Sequence, residues 1–251
     1  MEKRKTNISL LGRKSYTLSN GLKIHIPTVN EIRSENDYNE IKYFKLITPF
    51  VCTSTDFMVD LYDKGIDFQT LDDDYAFCAS LIIGNESEKD IDYSKLFEGA
   101  NACNFEVVQD VDGSGSIYIF DKDNGIIIDR GIYEEISNVL CKMHFRKKEH
   151  RRYSNKMSLR KAVEFEKDKI KIKQMNKKSE SDLDSLILFL CCNANCKYDF
   201  ETIGNLTIYD FYSSLRQIQK NEHVDNLFLG GYTGNIDLTK ISESELDKFK
   251  I

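Results

Sequence analysis

The sequence predicts a helix-rich α+β protein with a small antiparallel sheet, and three observations predict it. Apolar residues recur at helical spacing along most of the 251 residues. The period changes to alternation or short apolar runs near residues 15–26 and again over 104–130, each time between clusters of turn formers. No βαβ crossover of the kind a parallel sheet requires is legible between them. Composition agrees with a folded chain: 41% hydrophobic and 30% charged, with 2 Pro, 13 Gly and no Trp.

The opening element is a hairpin. Ser15-Tyr-Thr-Leu leads through Ser19-Asn20-Gly21 into Leu22-Lys-Ile-His-Ile, where apolar residues alternate and Asn-Gly favours a two-residue turn. Pro27 and Thr28 end that strand, and the Thr28-x-x-Glu31 spacing is that of a capping box, so a helix begins near Val29. A helical segment around Tyr38 to Leu46 is expected to stop before Pro49. Ser54 or Thr55 then caps a helix with Phe57, Met58, Leu61 and Tyr62 on its apolar face and Gly65 as its stop. Asp72-Asp73-Asp74 suits the start of another helix, which turns Tyr75, Cys78, Ala79 and Ile82 inward.

Phe105-Glu-Val-Val, Ser116-Ile-Tyr-Ile-Phe and Ile126-Ile-Ile-Asp read as a three-stranded meander. Ile132, Ile136, Val139, Leu140 and Met143 place a helix against it. After a basic stretch with a weaker stripe at Tyr153, Met157, Val163 and Ile170, the run Leu186-Ile-Leu-Phe-Leu-Cys-Cys predicts a helix buried on most sides. Thr207 caps a further helix with Ile208, Phe211, Leu215 and Ile218 inward, and Ser242-x-x-Glu245 caps a last short one. The basic stretch is the candidate boundary. It divides the chain into an α+β part over 1–148, a basic helix or arm over 149–180 and a helical part over 181–251.

Charge is distributed unevenly. Residues 142–178 hold fifteen Lys/Arg against four acids, a net of +11, so the remaining residues carry −17 within a total of −6. This layout favours self-association or docking on an oppositely charged partner. Arg146, Lys147, Lys148, Arg151, Arg152, Arg160 and Lys161 are the candidate partner-binding side chains. Phosphate binding by Arg151, Arg152 and Arg160 is the alternative, although the acidic pI and the scarcity of interleaved aromatics argue for a protein partner.

Chemistry-bearing patterns are few. Asp110-Val-Asp112-Gly-Ser114-Gly115, ending at Asp121, spaces oxygen donors like an EF-hand calcium loop, but strand-like flanks favour an ordinary hairpin turn. Cys141-x-x-His144 with Cys192 and Cys196 offers four soft zinc ligands, but both pairs continue amphipathic helices and read as core cysteines. The seven cysteines lack the spacing of a secreted disulfide framework. His25, His144, His150 and His223 lie in no nucleophile context, and no phosphate-binding loop occurs. No cofactor and no enzymatic turnover are therefore expected, with a metal-dependent enzyme the remote alternative. No apolar run is long enough for a bilayer span, and Met1-Glu-Lys-Arg-Lys-Thr does not open a signal peptide, so a cytoplasmic protein without a membrane partner is expected.

Two segments carry a family resemblance. Asp56-Phe-Met-Val-Asp-Leu-Tyr-Asp-Lys-Gly-Ile-Asp-Phe-Gln-Thr-Leu-Asp-Asp-Asp-Tyr-Ala-Phe and Gly230-Gly-Tyr-Thr-Gly-Asn-Ile-Asp-Leu-Thr-Lys-Ile resemble proteins of tailed phages and prophages of low-GC Gram-positive bacteria. These motifs are structural. The resemblance implies a non-enzymatic role in virion morphogenesis of the tail-assembly-chaperone kind. It further implies tail tube or tape-measure protein as partner, a homo-oligomer as a further possibility, and the host cell cytoplasm as the place of action.

Overall fold

The computed structural model describes residues 8–33, 40–85, 91–109, 116–175 and 182–249. Its described elements are helix-rich with two separate antiparallel sheets, as the periodicities predict. Strands β1 (Ser15–Thr17) and β2 (Lys23–His25) pair through Tyr16 and Ile24. The connecting loop holds three residues rather than two: Leu18 N donates to Leu22 O at 2.8 Å, and Gly21 takes a φ of 86° that a side chain would disfavour. The far edge of β2 is covered, because His25 N donates to Leu96 O and Glu98 N to Lys23 O.

Thr28 and Glu31 form the expected capping box at the start of α1 (Val29–Arg33), with Thr28 N on Glu31 Oε2 at 2.6 Å and Glu31 N on Thr28 Oγ1 at 3.2 Å. Helix α2 (Glu40–Val51) runs past Pro49 instead of stopping before it; the expected start near Tyr38 lies outside the described residues. Pro49 sits in the last turn, where it removes one backbone donor, and burial of Leu46, Ile47, Phe50 and Val51 outweighs that loss. At the next helix the cap is Thr53, one residue earlier than expected: Thr53 N donates to Asp56 Oδ2 at 2.8 Å, opening a short 3-10 turn into α3 (Met58–Asp63). Gly65 stops it at φ 74°. Only Met58 of α3 is buried.

Helix α4 (Asp74–Asn85) starts on Asp73, whose Oδ1 accepts from Tyr75 N and Ala76 N, and it buries Tyr75, Cys78, Ala79 and Ile82 as its spacing predicts. The Tyr75 hydroxyl reaches Ile117 O and Ile128 O, fastening α4 to the sheet of β3 (Glu106–Gln109), β4 (Ile117–Asp121) and β5 (Ile126–Ile128). Pairing of Val107 with Ile119 and of Ile119 with Ile128 sets one sheet face against α5 (Arg130–Met143). That helix is capped by Asp129 Oδ1 on Ile132 N at 2.8 Å and buries all five expected residues.

Helix α6 (Lys156–Met175) is followed by α7 (Asp182–Cys192), α8 (Phe200–Asn205), α9 (Ile208–Tyr232) and α10 (Glu243–Leu246). The α7 expectation needs correction. Leu183, Ile187 and Leu190 are buried, but Leu188 and Phe189 are exposed, so α7 docks by one face. Its unbroken apolar run concealed that asymmetry. Thr207 caps α9 through Asp210 N, and Ile208, Phe211, Leu215 and Ile218 are buried as predicted. Val29 N on Leu206 O and Ile208 N on Pro27 O tie the starts of α1 and α9 together.

One hydrophobic cluster extends from Leu10 through Phe50, Ile119 and Ile136 to Phe211 and Ile218. It joins the hairpin, the meander, α2, α5 and the C-terminal helices. Met58, Phe68, Phe77 and Val163 are buried outside it. Helix α6 therefore sits beyond the main core, against α3.

Candidate partner-binding surface

The basic stretch splits into two structures with different surroundings. Its first part, residues 144–155, is an extended strap; its second is α6. The strap leaves α5 through a left-handed residue, Phe145, at φ 51°. Arg146 N returns to Cys141 O at 2.8 Å and Phe145 N to Lys142 O at 3.2 Å, closing the helix end in the manner usually given to glycine. A non-glycine residue there costs about 1 kcal/mol. The Phe145 ring offsets this by stacking on Tyr209 at 5.3 Å, with the Arg216 guanidinium 4.6 Å from its centroid.

Beside this turn His144 is enclosed among Tyr43, Phe44 and Tyr212. Its Nε2 lies 2.7 Å from the Tyr43 hydroxyl, and its buried Nδ1 has no hydrogen-bond partner among the described residues. The Tyr43 hydroxyl also donates toward Met143 Sδ at 3.8 Å, which favours the tautomer in which Nε2–H donates to the tyrosine oxygen. Burial, reinforced by the nearby Arg146 charge, pushes the His144 pKa down to about 3. His144 is thus a neutral packing group.

The strap is then laid along the acidic stretch at residues 53–74. Thr53 Oγ1 donates to Glu149 O at 2.8 Å, Arg151 N to Thr55 Oγ1 at 3.1 Å and Tyr153 N to Gln69 Oε1 at 2.6 Å. These bonds satisfy main-chain groups of the strap. Arg146 reaches Asp56 at 2.6 Å, and Arg152 reaches Asp72 at 3.1 Å. Lys148 Nζ lies 2.6 Å from the Tyr133 hydroxyl and 3.4 Å from Asp74 Oδ2, and His150 faces Asp74 Oδ1 at 3.3 Å. Burial pushes the Tyr133 hydroxyl pKa up, so it stays protonated.

Alongside lies an open polar cavity of about 340 Å³ lined by Asp72, Asp73, Asp74, Arg130, Tyr133 and Lys148. Two Asp73–Arg130 bonds, at 2.6 and 2.9 Å, hold the Asp73 carboxyl below its usual range. Within the lining Asp73 pairs with Arg130 and Asp74 with Lys148.

Of the seven candidate cations, Arg146, Lys148, Arg151 and Arg152 are committed within the chain; Arg151 pairs with Glu149 and Glu166, both at 3.3 Å. Arg160 pairs with Glu164 one turn along α6 at 2.8 Å. Lys147 and Lys161 are exposed and have no ion pair among the described residues. The acidic partners Asp56, Asp72 and Asp74 were beyond sequence reasoning, because their alignment with the strap exists only after α3 and α4 have packed.

The alternative ligand sets fare as follows. Asp110–Gly115 of the calcium-like loop lie outside the described residues, while Asp121 turns inward and accepts from Asp123 N, Asn124 N and Asn124 Nδ2. Among the described residues no three His, Cys, Asp or Glu side chains are grouped to hold a metal ion. No described helix is long and apolar enough to cross a membrane.

The C-terminal region supplies a different kind of signature. Gly230 and Gly231 end α9, and a Cβ on either would come within 2.5 Å of Ile236 or Leu238. The returning chain packs directly on the helix backbone there, with Asn235 N and Ile236 N donating to Gly230 O. This close approach explains why the Gly-Gly-Tyr-Thr-Gly-Asn-Ile-Asp-Leu run reads as structural. Residues 174–246 match the family described as YomV second domain. The match covers under a third of the chain, and the likeness points to a protein of phage type. No curated protein and no solved structure matches the chain. The YomV-like segment comprises α7 to α10, including the glycine-dependent return onto α9.

Proposed function

We propose that this protein works by binding other proteins during virion assembly, as a tail-assembly chaperone does, with tail tube or tape-measure protein as its partner and the host cytoplasm as its place of action. The observation that carries this reading is the exposure of large apolar side chains on ordered elements. Leu188 and Phe189 of α7, Val108, Tyr118 and Ile127 on the outer face of the meander, and the outward side of α6 all face solvent. Grouped exposure of this kind marks protein–protein contact. The YomV likeness supports the phage setting.

The test is co-expression with the tail tube and tape-measure proteins of the same genome. Co-purification of a stoichiometric complex is expected, together with no hydrolase or nuclease turnover on adding Mg²⁺, Mn²⁺ or Zn²⁺. Metal-dependent turnover lost on a single Asp or Glu substitution would reverse the assignment. Nucleic-acid binding is the second reading, favoured by exposed Lys147 and Lys161, which have no ion pair among the described residues. It requires retardation of DNA or RNA that weakens steeply with salt.

A further inference from the structure

Helix α6 has two faces that differ in what meets them. Its inner face rests on α3: Val163 is 1% exposed, and Lys167 bonds Asp63 while lying 6.0 Å from the Tyr62 ring. At 3.6 residues per turn, Met157, Phe165, Ile172 and Met175 fall within about 80° of one another on the opposite side. They are 71%, 61%, 54% and 78% exposed. Positions 161, 165, 168, 172 and 175 keep the alternating four–three spacing of a two-helix seam.

Charge decides what covers this seam. Helix α6 carries seven Lys/Arg against three acids, so two copies pairing along it would set +4 against +4. That disfavours a second copy of this chain. Phosphates would meet Glu164, Asp168 and an apolar strip where cations are needed. Lys161 lies on the seam without an ion pair among the described residues, and Asp168 has only Lys171, at 3.8 Å.

We infer that the outward face of α6 is the docking site for an acidic amphipathic helix of a partner protein, which lays its apolar stripe on Phe165 and Ile172 and its carboxylates against Lys161 and Lys169. This rests on the protein-binding reading above and names its partner chemistry.

The experiment uses the full chain and a synthetic three-heptad helical peptide with Leu at a and d and Glu at e and g, compared with the same peptide carrying Lys for Glu. Fluorescence anisotropy is expected to show the acidic peptide binding at least about tenfold more tightly, a difference of about 1.4 kcal/mol. Phe165→Asp and Ile172→Asp should each abolish most of that binding and leave the circular dichroism and melting temperature unchanged, since both side chains are exposed. Equal affinity for the two peptides, no binding in the high-micromolar range, or binding that survives both substitutions overturns the assignment. So does preferential binding to phosphatidylserine-containing vesicles or duplex DNA, or a self-association that the substitutions remove. If capture of tail protein persists in Phe165→Asp, this surface alone is wrong; if wild-type capture fails as well, the protein-binding reading falls with it.

Discussion

Replacing Lys148 by Met tests whether the strap is held by its enclosed cation or by the sum of its surface charges. The Lys148 and Asp74 side chains are 17% and 23% exposed, whereas those of Arg152 and Asp72 are 74% and 61% exposed. Lys148 also donates to the Tyr133 hydroxyl at 2.6 Å and lies 4.6 Å from that ring. A hydrogen bond to a charged group contributes about 1.5–3 kcal/mol, while an exposed ion pair contributes roughly 0–1 kcal/mol. Lys148→Met should therefore cost about 2 kcal/mol and Arg152→Met under about 0.5 kcal/mol. With a urea m-value of about 3 kcal/mol/M for a chain of this size, the Lys148 variant should unfold about 0.7 M earlier. A double-mutant cycle with Tyr133→Phe should show coupling of about 1 kcal/mol. Equal urea midpoints for Lys148→Met and Arg152→Met would refute the reasoning, because burial would then not be what separates them.

Tyr43→Phe removes the hydroxyl that engages His144 and should destabilise by about 1–2 kcal/mol in the same urea assay, leaving the imidazole without that bond. A change below about 0.3 kcal/mol would show that the bond contributes nothing net. For pH, the Asp73 carboxyl is held below its usual value when folded, so its pair with Arg130 contributes stability above the unfolded carboxyl pKa near 4 and loses it as pH falls through the folded value. The stability gap between wild type and Arg130→Met should accordingly be under about 1 kcal/mol at pH 7 and close below pH 4. It should also shrink in 1 M NaCl, and a gap that widens on acidification would contradict the assigned sign.

Local structure was largely legible because its determinants are local. Thr28 with Glu31, Thr207 and Ser242 with Glu245 all cap the helices their spacing announces, and the alternation in 104–130 yields the three strands of the meander. The errors share a physical cause. Pro49 predicts a helix end because the rule for residues before proline weighs the backbone alone, while the buried Phe50 and Val51 hold α2 together beyond it. Leu186–Cys192 reads as buried on most sides because an unbroken apolar run has no period to reveal its docking face, yet Leu188 and Phe189 are exposed. The partners of the strap were illegible because Asp56, Asp72 and Asp74 lie about 75–90 residues before the cations they meet.

The same separation changes what a net of +11 means. Summed along the chain, residues 142–178 are one basic block; in the fold many of their charges are consumed, at two different ranges. Arg146, Lys148 and Arg152 are neutralised by acids of a distant segment, as is Lys167 by Asp63. Arg160, Lys169 and Lys171 are neutralised within one turn of α6. Exposed Lys147 and Lys161 have neither among the described residues, and they lie on different elements. A phosphate backbone requires a continuous line of free cations, because each contact must displace a counterion. A helix with an apolar stripe requires only hydrophobic contact at its centre and a few cations at its margin. The described surface of α6 has the second arrangement, so the block of charge conspicuous in the sequence serves to hold the strap in place and, in the docking proposed above, to favour an acidic partner on the exposed face of α6.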